Sequence, residues 1–471
     1  MQRTHAGDSD TMVGPIGVWL LVSLGFCISL ALLYPGHYPF DSAYQYWQAR
    51  SGEFSNITPV PMIGLWSVLL AAFGNPASLL CLNLGMFWAG MGWCLAARKF
   101  SFGWLLVVVL AGGLSPLVLV QMAHLLSDAH MTAVLVLATG LLARHRPGRS
   151  RAGISMALAL IVYAGCIRQN SLVAVIPLGA AATWILSTMA TSRYRLVLAG
   201  ALATALIGMI ASIAFDRALA DERRPLWPML ALWDLAAMSV ATDQLLLPPF
   251  THGPGLDVQE LRDSGAFDAA SVTHLFVRSR SGVGSGLVRP YPAAQQRELA
   301  AAWWSAVREH PREYLAHRLR TTQLVFGRHD GATAGLAYYT DRSSYRDNPP
   351  LPEILNPRAH QGLLDLAARL RPTWVFSAWP YLLAHLGVLI LAWRGRQDPR
   401  AALVLGVTSS ALVYAASFII LAPSAELRFV TWPIVSATLA IALWFAPMPA
   451  RHPDARSGGA PGSGPVRPAA G

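Results

Sequence analysis

Charge is scarce in this chain: acidic and basic residues together fill 13% of its 471 positions, while 54% are hydrophobic. A soluble globule of that length carries about a quarter of its residues as charges, so the composition argues for a membrane protein. Cysteine is equally sparse. All four (Cys27, Cys81, Cys94, Cys166) fall inside apolar stretches, which leaves the hydrophilic part without a disulfide framework or a CxxC metal site. The GxSxG elbow, the HExxH helix, the Walker loop and the dinucleotide fingerprint are also missing, so neither a soluble hydrolase nor a nucleotide-driven pump is expected. No internal repeat is visible, and with it the inverted symmetry of many transporters is missing. The net charge of +11 is not arranged as a basic stripe with stacking aromatics, so nucleic acid is not an expected partner.

What the chain does have is apolar blocks. They cover about 13–33, 59–73, 77–97, 102–121, 124–143, 152–167, 171–189, 196–215, 374–393, 401–421 and 430–445. Several approach the roughly 20 residues that span a bilayer core. The expected fold class is therefore all-α: a polytopic transmembrane helical bundle of about 10–12 spans with a mostly helical extracytoplasmic segment. Block 13–33 is too long for a signal-peptide core and is read as a retained first span.

The expected organisation is a cytoplasmic tail at 1–12 and an N-terminal transmembrane module at 13–215 with an extracytoplasmic loop at 35–58. The extracytoplasmic helical segment follows at 216–372, then a C-terminal transmembrane module at 373–446 and a disordered tail at 447–471 rich in Pro, Gly and Ala. Basic connectors near 98–99, 144–151, 193–195 and 394–400 belong in the cytoplasm. That puts the first loop, the turn at Arg168, the long segment and the turn at Glu426 on the opposite face. This orientation needs an odd number of crossings between the first loop and the 144–151 connector, where four blocks lie. The shortest, 59–73, is read as re-entrant or incomplete.

Polar residues at the ends of these blocks are the candidates for chemistry. After the first block comes Pro39-Phe40-Asp41-Ser42, and from Asp41 a short interfacial helix is expected with Asp41, Gln45 and Gln48 on one face. Asp41 is either a first-turn acid favoured by the helix dipole or a carboxylate held to take a proton or bind a metal. Arg168-Gln169-Asn170 interrupts two apolar blocks. Arg168 either snorkels or holds a phosphate, since a guanidinium matches phosphate oxygens in pairs. Glu426 and Arg428 form a similar turn before the last block, as a local ion pair or a second phosphate contact. His124 and Asp128, spaced i and i+4 on an expected helix, share a metal or proton or belong to an interhelical hydrogen-bond cluster.

These landmarks resemble the GT-C superfamily of polytopic glycosyltransferases that use polyprenyl-phosphate-linked sugars. The likeness rests on Pro39-Phe40-Asp41 after the first span, a Pro-rich start to the next block, Arg168-Gln169-Asn170, and Glu426-Leu427-Arg428 before the last span. The stretch Trp304 to Arg318 also resembles one in uncharacterised bacterial members. The likeness spans most of the chain, in layout more than in identity, and each motif is short. Members often pair two acids in the first loop, whereas Ser42 follows Asp41 here, and their Pro-Pro step is Pro59-Val60-Pro61.

The resemblance implies a transferase with Asp41 as catalytic base, Arg168 and Arg428 on the donor phosphate, and Gln45, Asn170, Glu426, His124 and Asp128 in support. It implies a polyprenyl-phosphate-linked sugar donor, an acceptor that is a glycan, a lipid or a protein, and a site on the periplasmic face of a bacterial inner membrane. A divalent metal is left open as cofactor. A lipid or solute transporter or flippase and a polysaccharide polymerase or ligase are the alternatives.

Overall fold

The computed structural model describes residues 12–145, 152–187, 193–287 and 289–447. The two tails, apart from Met12 and Pro447, and most of the 144–151 connector lie outside them. The described residues form nineteen α-helices; helix makes up 71% of these residues, and no strand forms among them. The protein is all-α. The first run holds α1 (Pro15–Leu33), α2 (Phe40–Ser51), α3 (Val60–Phe73), α4 (Ser78–Ala96), α5 (Phe102–Gly112), α6 (Pro116–Met122), α7 (Ser127–Ala143), α8 (Ala152–Ile167), α9 (Ser171–Leu186) and α10 (Arg193–Leu219). The middle holds α11 (Trp227–Thr242), α12 (Val258–Asp263), α13 (Thr273–Arg278), α14 (Ala293–Glu309), α15 (Pro311–Phe326) and α16 (Pro357–Leu370). Last come α17 (Trp379–Arg394), α18 (Ala401–Leu421) and α19 (Thr431–Phe445).

Among the described residues, five helical stretches are long and apolar enough to cross a membrane, or six if α5 and α6 form one broken span. That is fewer than the eleven apolar blocks suggest. Several blocks give helices too short for a full crossing: α3 has 14 residues, α8 and α9 have 16 each and α7 has 17. Block 102–121 is not one rod. It bends by 49° between α5 and α6, where Gly112-Gly113 ends one helix and Pro116 opens the next in the first-turn position that tolerates proline.

Close backbone approach holds the bundle together. A Cβ at Gly90 on α4 would collide with the Val136 backbone on α7, and one at Gly140 with the Gly90 backbone. Small residues at such a crossing let the two backbones come close enough for dense dispersion contacts. One core runs from α1 through α19 and includes Leu363, Ala367 and Phe376. A second, separate core joins α11 to Leu261, Leu275, Leu299 and Ala306. The segment expected as one unit at 216–372 is therefore divided. Its first part buries its own side chains, and its last part leans on the bundle.

Two strips of this segment reach the bundle ends and position the site. Tyr38 in the first loop donates its amide to the Asp341 carbonyl (2.9 Å), and Ser343 returns a bond to the Tyr38 carbonyl (2.8 Å). The same loop turns at Gly36, whose φ of 104° suits glycine. His37 then bonds the Ala123 carbonyl in the break between α6 and α7 (2.8 Å). On the other side, the Ala425 amide bonds the Ala270 carbonyl at 2.7 Å.

Candidate functional site

Four chain segments far apart in sequence meet at one end of the bundle. Asp41 lies in the first turn of α2, Asp128 in the first turn of α7, Arg168 in the turn between α8 and α9, and Arg428 in a short 3-10 turn before α19. The two acids sit where a helix N-terminus favours negative charge. Asp128 is the hub. Its Oδ1 accepts from Arg168 Nη1, and its Oδ2 lies 3.4 Å from Arg428 Nη1. Arg428 spends its other nitrogens on carboxylates too: Nε donates to Glu426 Oε2, and Nη2 lies 3.3 Å from Asp41 Oδ2. Arg168 completes its own frame on Asn170 Oδ1 and Ser127 Oγ, each at 3.3 Å.

Exposure grades the cluster. The Asp128 side chain is 3% exposed and that of Glu426 11%, against 56% for Asp41. Both guanidiniums pack on the Phe429 ring, at 5.1 and 5.2 Å from its centroid, a cation–π seat that suits a weakly hydrated cation. The Glu426 carboxyl is held below its ordinary range: burial opposes ionisation, but Arg428, Ser424 and Tyr339 outweigh it. Ser424 Oγ donates to Glu426 Oε1 at 2.5 Å. The cluster is thus a buried ionic floor with one half-exposed carboxylate at its rim.

The structure places the other candidates differently. Gln45 and Gln48 share the Asp41 side of α2, but both are buried in protein. Gln48 Oε1 accepts from Thr58 (2.6 Å), and Gln45 Oε1 has no partner among the described residues. Gln45 therefore does not join the ionic cluster. The reason is a strap at 341–348 that packs on α2: Arg50 pairs with Asp347 at 2.7 Å, Asn348 Nδ2 donates to the Ala43 carbonyl, and the Tyr345 ring lies 5.0 Å from that of Tyr44. The expected interfacial helix is a covered one.

His124 and Asp128 do not sit on one helix. Helix α7 starts at Ser127 and Leu126 is extended, so i,i+4 spacing does not bring them together. His124 Nε2 instead accepts from the Tyr339 amide (3.0 Å). Tyr339 joins the site from the strap's side, its ring 5.9 Å from the Arg428 guanidinium. Sequence reading missed Tyr339 and Phe429. Tyr339 lies in a loop with no periodicity, but Phe429 adjoins Arg428 and was open to notice as a cation–π partner.

Among the described residues no three His, Cys, Asp or Glu side chains are arranged to hold a metal ion. The chemistry of the donor set agrees. Asp41, Asp128 and Glu426 are separated by guanidiniums, and a dication would have to sit beside fixed positive charge. A divalent metal does not fit here. No protein-family model, curated protein or solved structure matches the chain.

Several histidines are buried in the neutral form, some beside the site and one in the second core. Burial and then the Arg428 charge lower His124 to about 4. Burial and then Arg318 lower His317, in the second core, to about 3. Burial, followed by His124 and His360, holds His37 well below its ordinary 6.5. Unfolding lets these rings take up protons that the folded state refuses, so their stability is complete above pH 6.5 and lost as pH falls toward 4. Asp234 works the other way, because burial raises it to about 6 despite Arg318. Asp128, also raised by burial, acts with Asp234, but Glu426, held low, acts with the rings, and the balance stays with them. The melting temperature of detergent-purified protein should fall between pH 6.5 and 4.5, and less steeply in His124→Gln. A flat profile would refute the neutral-histidine account.

Proposed function

We propose that the chain is a polytopic membrane glycosyltransferase that moves a sugar from a polyprenyl-phosphate donor to an acceptor outside the cytoplasm. The observation that carries this reading is the meeting of Asp41, Arg168 and Arg428 at one end of an apolar bundle, with the carboxylate half-exposed and the guanidiniums behind it. A polyprenyl tail stays in lipid while its phosphate lies at the interface, the depth suited to residues at the ends of apolar helices. The acceptor hydroxyl attacks the anomeric carbon as its proton passes to Asp41. The bond from that carbon to the phosphate oxygen breaks, and its electron pair leaves on polyprenyl phosphate, whose growing charge the guanidiniums stabilise. Positioning and electrostatics suffice for such a leaving group, and no metal enters the scheme.

The cellular setting that goes with this chemistry is a bacterial inner membrane, with the cluster facing the periplasm. The acceptor class stays as broad as a glycan, a lipid or a protein. The test is direct. Purified protein in lipid nanodiscs is given radiolabelled polyprenyl-phosphate hexoses and pentoses together with envelope glycolipids or glycans. The expected result is label in the acceptor with polyprenyl phosphate released one for one. Movement of intact donor across the bilayer with no bond cleavage would overturn the transferase reading in favour of a flippase.

A further inference from the structure

Arg428 has no nitrogen to spare. Nε is taken by Glu426, Nη1 by Asp128 and Nη2 by Asp41. The cluster holds three carboxylates and two guanidiniums, so with all five ionised it is already one negative charge in excess. An anionic phosphate cannot simply be added: it would meet like charge in a partly desolvated place. One carboxylate has to leave, and the three are unequal. Asp128 and Glu426 are buried at 3% and 11% exposure, and freeing either would strand it without a counter-charge. Asp41 is 56% exposed on the rim, reaches Arg428 through a single 3.3 Å contact and can turn into water at little cost.

We propose that Asp41 latches Arg428 in the empty protein and that a bound phosphate takes its place on Arg428 Nη2. Arg168 meets the anion from the other side, since its Nη2 carries no hydrogen bond among the described residues, while Nε and Nη1 are held by Asn170, Ser127 and Asp128. The exchange couples two events. Donor arrival releases the Asp41 carboxylate from Arg428, and the freed side chain can then turn toward the acceptor.

This inference rests on the donor-phosphate reading and predicts a sign opposite to that of an ordinary ligand contact. Farnesyl phosphate and inorganic phosphate are titrated against wild type and Asp41→Asn. The asparagine variant, relieved of the competing charge, should bind about two- to fivefold more tightly, as expected for a half-exposed ion pair. Tightening for both probes identifies the phosphate itself as the displacing group; tightening for farnesyl phosphate alone assigns the exchange to the lipid-linked form. Equal or weaker binding by the variant overturns the latch and leaves the transferase reading standing. No binding of either probe to either protein overturns both. Labelling of wild type with a water-soluble carbodiimide and an amine gives an independent readout: modification of Asp41 should rise when farnesyl phosphate is present, and a fall would reject the exchange.

Discussion

Asp41→Asn should fold normally and transfer sugar at least about a hundredfold more slowly than wild type, the usual range for loss of a positioned base. Asparagine keeps the size of the side chain, and its carbonyl oxygen can still accept from Arg428. What it cannot do is take a proton. The half-exposed ion pair it dissolves is worth at most about 1 kcal/mol, so melting temperature should hardly change. The latch adds a second signature. Because the neutral variant competes more weakly with phosphate for Arg428, its KM for donor should fall while kcat collapses, a split that a merely structural role would not produce. Asp41→Glu keeps the charge and should recover part of the rate. Turnover in Asp41→Asn equal to that of wild type would remove Asp41 from the mechanism.

Much of this site was legible in the sequence, for a physical reason. A charge at the end of an apolar block is costly unless it has a partner or a task, so Asp41, Arg168, Glu426 and Arg428 stood out against long hydrophobic runs. Their meeting was not legible. It depends on turns such as the 3-10 turn at Leu427–Val430 and on contacts between residues 300 positions apart, as from Asp128 to Arg428. Hydropathy also cannot show where a helix stops inside an apolar run. Block 102–121 hides a 49° bend, and the next block hides the break that parts His124 from Asp128. The strap over α2 was invisible because its contacts are an ion pair, a side-chain amide and a ring from a loop, which leave no period in the sequence. That is why Gln45 looked available when it is buried.

Arg428→Met should cost far more than activity. Removing this guanidinium leaves Glu426 and Asp128 buried with a lost partner each, and Arg168 as the one cation facing three carboxylates. Breaking a buried pair from one side typically costs about 3–5 kcal/mol, because the stranded charge is more expensive than the pair was valuable. The expected result is a large drop in melting temperature or in folded yield, with no measurable transfer. A double variant separates the two effects. Arg428→Met with Glu426→Gln removes both a cation and its closest anion, so stability should recover in part while transfer stays absent. Arg428→Lys is intermediate: an ammonium keeps the charge but cannot present three nitrogens in one plane to three carboxylates. If Arg428→Met alone melts like wild type, the buried floor of the site is not held by this guanidinium, and the charge inventory that makes Asp41 the displaceable partner fails with it.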